Sequence, residues 1–270
     1  MGSKRFDKTQ STINTVTAGQ IIIEQPQTFG VGIEITGKQP LIQNNFSQKA
    51  IEQMLRKHMG LSVQREAKKP RECIELATIR NVNGAVCVPP QGIKAAMLTA
   101  STAIKGLKKT QLRQALYIEG ASIPITFEKM VPRMDMVRTS GMARTPDVRF
   151  RPMFEGWKAR FYISFSDSVA VQSVVDLVNR AGGVGLGEWR PEKNGTFGTF
   201  FVSRHINDPE ELAEVVDICS PSLVKPVIPE WAMDAEIPAD VLKKIAGGNA
   251  GEPEDRDEED VEEEGEEKAG

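Results

Sequence analysis

From Trp157 to Phe165 every second residue is apolar: Trp157, Ala159, Phe161, Ile163 and Phe165 alternate with residues that include Arg160 and Tyr162. Successive side chains of a strand point to opposite faces, so this run predicts a half-buried strand that commits one face to a core. Ser166, Asp167 or Ser168 can cap the next element, a helix whose Val171, Val174, Val175 and Val178 form an apolar stripe ending at Gly182 and Gly183. The spacing then predicts a strand over 184–189, a turn over 191–195 and a partner strand over 197–202. A β-α-β-β succession is the larger part of a split β-α-β unit and places the chain in the α+β class.

The upstream half reads less sharply. Val31, Ile33 and Ile35 alternate within 29–36 as a second half-buried strand, which Gly37 and Pro40 end. A helix is expected from about Ser47, with Ala50, Ile51, Met54, Leu55 and Met59 at helical spacing, Lys57 and His58 in its last turn and Gly60 as its stop. Residues 74–79 and 85–88 read as strands. Pro89 and Pro90 open a helix marked by Ile93, Ala96, Met97, Ala100 and Ile104 and closed by Gly106; Lys108 and Lys109 follow it. Mixed strands are expected over 115–127. A last helix over 209–216 begins with Asp208, Pro209, Glu210 and Glu211, acids suited to a helix N-terminus.

No apolar run approaches the ~20 residues of a membrane span, and residues 1–17 lack the apolar stretch of a secretory signal, so a cytoplasmic protein is expected. Cys73, Cys87 and Cys219 are odd in number and lack Cys-x-x-Cys spacing, and His58 and His205 are the only histidines. Neither a disulfide framework nor a zinc site is suggested, and no metal or cofactor is expected. The formal charge of −3 divides unevenly, because residues 251–270 hold twelve acids against Arg256 and Lys268, leaving the rest of the chain at +7. A basic body with an acidic tail is expected where the tail competes with a polyanion or recruits basic partners; a merely solubilising tail is the alternative. Residues 1–17 and 247–270 are too poor in apolar side chains to offset the entropy of ordering and are expected to be disordered, flanking one domain over 18–246.

Two constellations stand out. Between Arg133 and Arg160 lie Arg133, Arg138, Arg144, Arg149, Arg151, Arg160 and Lys158 against Asp135, Asp147 and Glu155, a local balance of +4. Residues 132–146 show no regular period, so an irregular arginine-rich insertion is expected around 128–150. Arginine offers phosphates a bidentate fork and stacks on bases, although ordinary surface ion pairs would use it equally well. The second constellation is the glycine-rich run Gly182, Gly183, Gly185 and Gly187, followed by Trp189, Arg190 and Pro191. A helix before it and a turn after it reverse the order that a dinucleotide fingerprint requires. Gly185 and Gly187 are instead expected where a backbone approaches a polyanion or another strand closely. No nucleophile elbow, phosphate-binding loop or His-Glu-x-x-His stands in the chain, so a non-catalytic protein is expected.

Three stretches resemble the RAMP superfamily, in particular the Cas7-like backbone proteins of CRISPR effector complexes and their phage-borne relatives. They are Ile33-Glu34-Ile35-Thr36-Gly37 with Pro40, the Pro-led run from Val88 through Lys94 to Ala96, and the glycine-rich segment from Gly182 to Arg190. The resemblance implies a ferredoxin-like or RRM-like core with a thumb-like insertion that polymerises along single-stranded RNA; acidic tails are familiar instead in single-stranded DNA-binding proteins, so the expectation is a non-catalytic protein that coats single-stranded RNA or DNA as an oligomer. Binding is expected through Lys94, Lys108, Lys109, Arg133, Arg138, Arg144, Arg149, Arg151, Gly185, Gly187, Trp189 and Arg190, with Phe197 or Tyr162 as further stacking candidates. The acidic tail departs from the family pattern. The competing expectations are a phage assembly protein that uses the same loops for subunit contacts, and a metal-dependent ribonuclease using Asp135 and Asp147.

Overall fold

The two alternating runs lie side by side at the centre of a six-stranded sheet in the computed structural model, which describes residues 27–61, 67–104, 106, 108–138 and 145–233. In chain order the elements are β1 (Thr28–Gly37), β2 (Leu41–Ile42), α1 (Gln48–His58), α2 (Pro70–Ala77), β3 (Cys87–Val88), α3 (Pro90–Ala100), α4 (Lys109–Ala115), β4 (Leu116–Ile118) and β5 (Ile123–Thr126). They continue as β6 (Lys129–Arg138), β7 (Pro146–Glu155), β8 (Lys158–Ser166), α5 (Val171–Val184), β9 (Phe200–Ile206), α6 (Pro209–Cys219) and α7 (Glu230–Met233). The expected terminal segments 1–17 and 247–270 lie outside the described residues.

The main sheet runs β3-β5-β8-β1-β9, with β4 also paired to β8, and its ladders are antiparallel. Taken as β1, α3, β5, β8, α5 and β9, the chain is a β-α-β-β-α-β unit whose last strand lies beside the first, then the third, then the second. That order is the ferredoxin-like arrangement, so the α+β expectation holds. Register places Ile33 opposite Phe161 and Val31 opposite Ile163. These residues are buried with Ile35, Ala159 and Phe165 in one cluster that includes Ile93 and Met97 of α3 and Val174, Leu177 and Val178 of α5. Each of the valine, leucine, isoleucine, methionine and phenylalanine side chains among them contributes about 1.5–3 kcal/mol on leaving water.

The opposite face is covered by α6. Leu212 lies so near Gly32 that a Cβ there would come within 2.3 Å of it. Arg160 pairs with Glu211 at 3.4 Å and Glu214 at 3.0 Å, while Arg204 pairs with Glu34 at 3.1 Å and donates to Glu211 at 2.7 Å. Arg160 therefore holds a helix in place and is spent as a surface cation.

Three expectations are corrected. Residues 74–79 are not a strand: Pro70 opens α2, and Ile74 and Ala77 turn inward at helical spacing, a choice that a short apolar run leaves open. Helix α5 is not capped by Ser166, Asp167 or Ser168, since Ala170 is its N-cap and the Ser166 and Ser168 hydroxyls bond each other at 2.6 Å. The hairpin expected over 184–202 does not form. Helix α5 runs through Gly182 and Gly183 to Val184, because the missing side chain of Gly182 lets it lie against β9; a Cβ there would be 1.9 Å from the Phe200 carbonyl. Strand β9 pairs with β1 instead.

Candidate nucleic-acid interface

The arginine-rich segment is an ordered two-stranded ribbon. Strands β6 and β7 pair through ten positions, from Lys129 opposite Glu155 to Arg138 opposite Pro146. Directly opposed residues share a face, so the register sorts the sequence in two. One face carries Met130, Pro132, Met134, Met136 and Arg138 opposite Phe154, Pro152, Phe150, Val148 and Pro146. The other carries Lys129, Val131, Arg133, Asp135 and Val137 opposite Glu155, Met153, Arg151, Arg149 and Asp147. The irregular insertion is thus corrected to a period-two element, which methionine and proline in the apolar positions had concealed. Phe154 and Pro152 are buried at its base, whereas Met134 and Met136 are 68% and 78% exposed.

On the charged face, arginine is matched by carboxylate. Arg133 donates from Nε to Asp135 at 2.7 Å, and its guanidinium lies 4.7 Å from the centre of the Phe197 ring. Arg151 is 3% exposed; it reaches Asp135 at 3.4 Å and Glu188 at 3.8 Å, and its Nε has no hydrogen-bond partner. Arg149 stands 3.9 Å from Asp147, which also accepts from Lys68; that hydrogen bond is the main cause of the Asp147 carboxyl lying below its usual range. A guanidinium buried as Arg151 is does not reach a phosphate in solvent, so its expected place in a binding surface is corrected. Arg138 is exposed on the other face and has no ion pair to a described residue. Arg144 lies outside the described residues.

The glycine-rich segment serves the fold. Gly185 (φ 80°) caps α5, and a Cβ on it would stand 2.9 Å from the Pro191 ring; Gly187 (φ 72°) would place one 2.2 Å from the Ile42 carbonyl. Backbone bonds from Glu188 to Ile42 (2.9 Å) and from Gly198 to Pro40 (2.8 Å) fasten the segment to β2 and the turn before it. Arg190 is occupied by Glu192 and the Gly187 carbonyl. The close approach expected of Gly187 is therefore to β2 and not to a polyanion. Trp189 is 38% exposed with a left-handed backbone (φ 53°), and Tyr162 lies over Gly30.

A different group of cations keeps its charge. Helix α4 turns Leu112 and Ala115 into the core, which leaves Lys109 and Arg113, four residues apart, on the outside. Lys108 precedes them, exposed. Lys94 of α3 donates to the Arg113 carbonyl at 2.9 Å and sets its ammonium 5.0 Å from the centre of the Tyr117 ring. Tyr117, on β4, is 56% exposed because Leu116 beside it takes the inward position. Among the described residues no carboxylate forms an ion pair with Lys94, Lys108, Lys109 or Arg113. Sequence reasoning singled out the three lysines but missed Arg113 and Tyr117. The available signal was the spacing of Lys109, Leu112, Arg113 and Ala115, which marks a short amphipathic helix.

Among the described residues no helix is long and apolar enough to cross a membrane. No protein-family model and no curated protein matches the sequence. Among solved structures the chain is similar to one in a cryo-EM structure of the Type III-B Cmr-beta bound to cognate target RNA, at 13% identity and a TM-score of 0.41, with 66% of this chain covered. It spans 60% of the length of that chain. It is also similar to Cmr6 from Pyrococcus furiosus, at 8% identity and a TM-score of 0.34, over 66% of this chain and 100% of the other.

Proposed function

We propose that this protein binds single-stranded nucleic acid, RNA or DNA, without cutting it. The observation that carries the reading is the α3–α4 patch, where Lys94 meets the exposed Tyr117 and the Arg113 carbonyl, Lys108, Lys109 and Arg113 are exposed on and before α4, and no carboxylate among the described residues pairs with these four cations. Uncompensated cations attract a polyanion and gain from counterion release, whereas Arg133, Arg149 and Arg151 of the ribbon have already met their acids. Copies of the chain coat the strand, as the resemblance to RAMP-type backbone proteins implies, and the acidic tail competes with the strand for the patch.

Binding of labelled 20-mers of U and dT and of a 20-base-pair duplex, at two salt concentrations, tests this. The full chain is compared with one truncated after Gly248. Single strands should bind tightly and lose affinity steeply with salt, and truncation should strengthen binding. Absence of binding by both chains would remove the reading.

A second reading is favoured by the exposed face of Met134 and Met136, an apolar surface of the kind that meets another subunit. An assembly protein would form oligomers without nucleic acid and keep them in high salt. Light scattering of the M134E/M136E variant decides: conversion of such oligomers to monomers supports this reading, and a chain monomeric from the outset excludes it.

A further inference from the structure

Tyr117 is more open than the other aromatic rings that meet a cation. Phe197 beneath Arg133 and Trp231 beside Arg56 are partly buried, and Phe201, met by Lys38, is 36% exposed, against 56% for Tyr117. The surroundings of Tyr117 hold it in place: Leu116 on one side is fully buried, and the ammonium of Lys94, tethered to the Arg113 carbonyl, approaches its ring. More than half of the residue remains open to solvent, and its hydroxyl has no hydrogen-bond partner among the described residues.

We infer that Tyr117 is a stacking platform for one unpaired base, flanked by phosphate contacts from Lys109 and Arg113. The inference rests on the reading of the α3–α4 patch as a nucleic-acid surface and adds what that surface selects. An aromatic ring stacks on any base whose face is open, which a single strand offers and the interior of a duplex does not. Cations by themselves hold both forms, because both carry phosphates. Tyr117 therefore converts an unselective cationic patch into one for single strands, tolerant of sequence since every base has a π-face. The lysine near the ring adds a contact to whatever phosphate follows the stacked base.

The test measures the full-length chain and its Tyr117→Leu, Tyr117→Phe and Lys109→Ala variants against U and dT 20-mers and against long-chain inorganic polyphosphate, a polyanion without bases. Leucine keeps the bulk of an exposed side chain and removes the ring. Expected is a loss of about tenfold or more on the oligonucleotide for Tyr117→Leu with polyphosphate binding unchanged, retention within about twofold for Tyr117→Phe, and weakening on both polyanions for Lys109→Ala. Equal loss on both polyanions for Tyr117→Leu, or no loss on either, overturns the platform and leaves the cationic patch standing. A wild-type chain that binds polyphosphate and oligonucleotide equally well overturns it too. Failure of the wild-type chain to bind either polyanion overturns the reading of the patch itself.

Discussion

Arg151 and Asp135 face each other inside the base of the β6–β7 ribbon, 3% and 6% exposed and 3.4 Å apart. Asp135 is also held by Arg133 at 2.7 Å, so its own removal is the costly change, leaving Arg151 buried with only Glu188 at 3.8 Å. Asp135→Ala should destabilise the fold by about 3–5 kcal/mol. Denaturant unfolding followed by tryptophan fluorescence measures it, and a loss below about 1 kcal/mol would contradict the buried pairing.

Arg149 and Lys109 should behave differently although both are exposed. Arg149 already has Asp147 at 3.9 Å, whereas no acid among the described residues pairs with Lys109. Lys109→Ala and Arg113→Ala are each expected to reduce the slope of log affinity against log salt by about 0.7, the share of one phosphate contact on a single strand. Arg149→Ala should change it by less than half as much. Salt titrations of oligonucleotide binding compare the three, and a larger effect of Arg149 would move the interface back to the ribbon.

The glycines of the α5 exit should divide by position. Gly187→Ala meets both a left-handed backbone and the Ile42 carbonyl and should cost at least about 1–2 kcal/mol. Gly183→Ala sits in the last turn of α5 with open space around the new methyl group and should stabilise by about 0.5–1 kcal/mol. Thermal melts of the two variants should therefore shift in opposite directions.

The thiols should separate by burial. Burial pushes Cys219 up to about 11 and raises Cys87 as well, whereas Cys73 is partly exposed. The folded state holds the Cys219 proton more tightly than the unfolded chain does. Its contribution to stability is therefore intact below the ordinary thiol value of 9.0 and is lost as pH rises from there toward about 11. At pH 8 a thiol reagent should modify Cys73 first and reach Cys87 and Cys219 only in denaturant. Rapid reaction of all three in the native protein would contradict this packing.

Local sequence determined the elements whose signals are local. The alternation from Trp157 to Phe165, the Val31–Ile33–Ile35 strand, the stripe of α5 and the acidic start of α6 each fix a period that one face of a core can bury, and the sheet is built on them. Tertiary structure alone decided which charges remain free. Arg133, Arg149 and Arg151 look like Lys94 and Lys109 in the sequence, but the extended strands set Asp135 beside Arg133 and Asp147 beside Arg149 on one face, ribbon pairing brings Asp135 to Arg151, and a fold contact brings Glu188, 37 positions along the chain from Arg151. The same pairing revealed period two in a segment whose apolar face is built from methionine and proline. Helix α4 and strand β4 set Tyr117 under Lys94, a meeting of residues 23 positions apart that no local period encodes. Electrostatic compensation and stacking depend on distances of a few ångströms between residues remote in sequence, and only the folded chain fixes those distances.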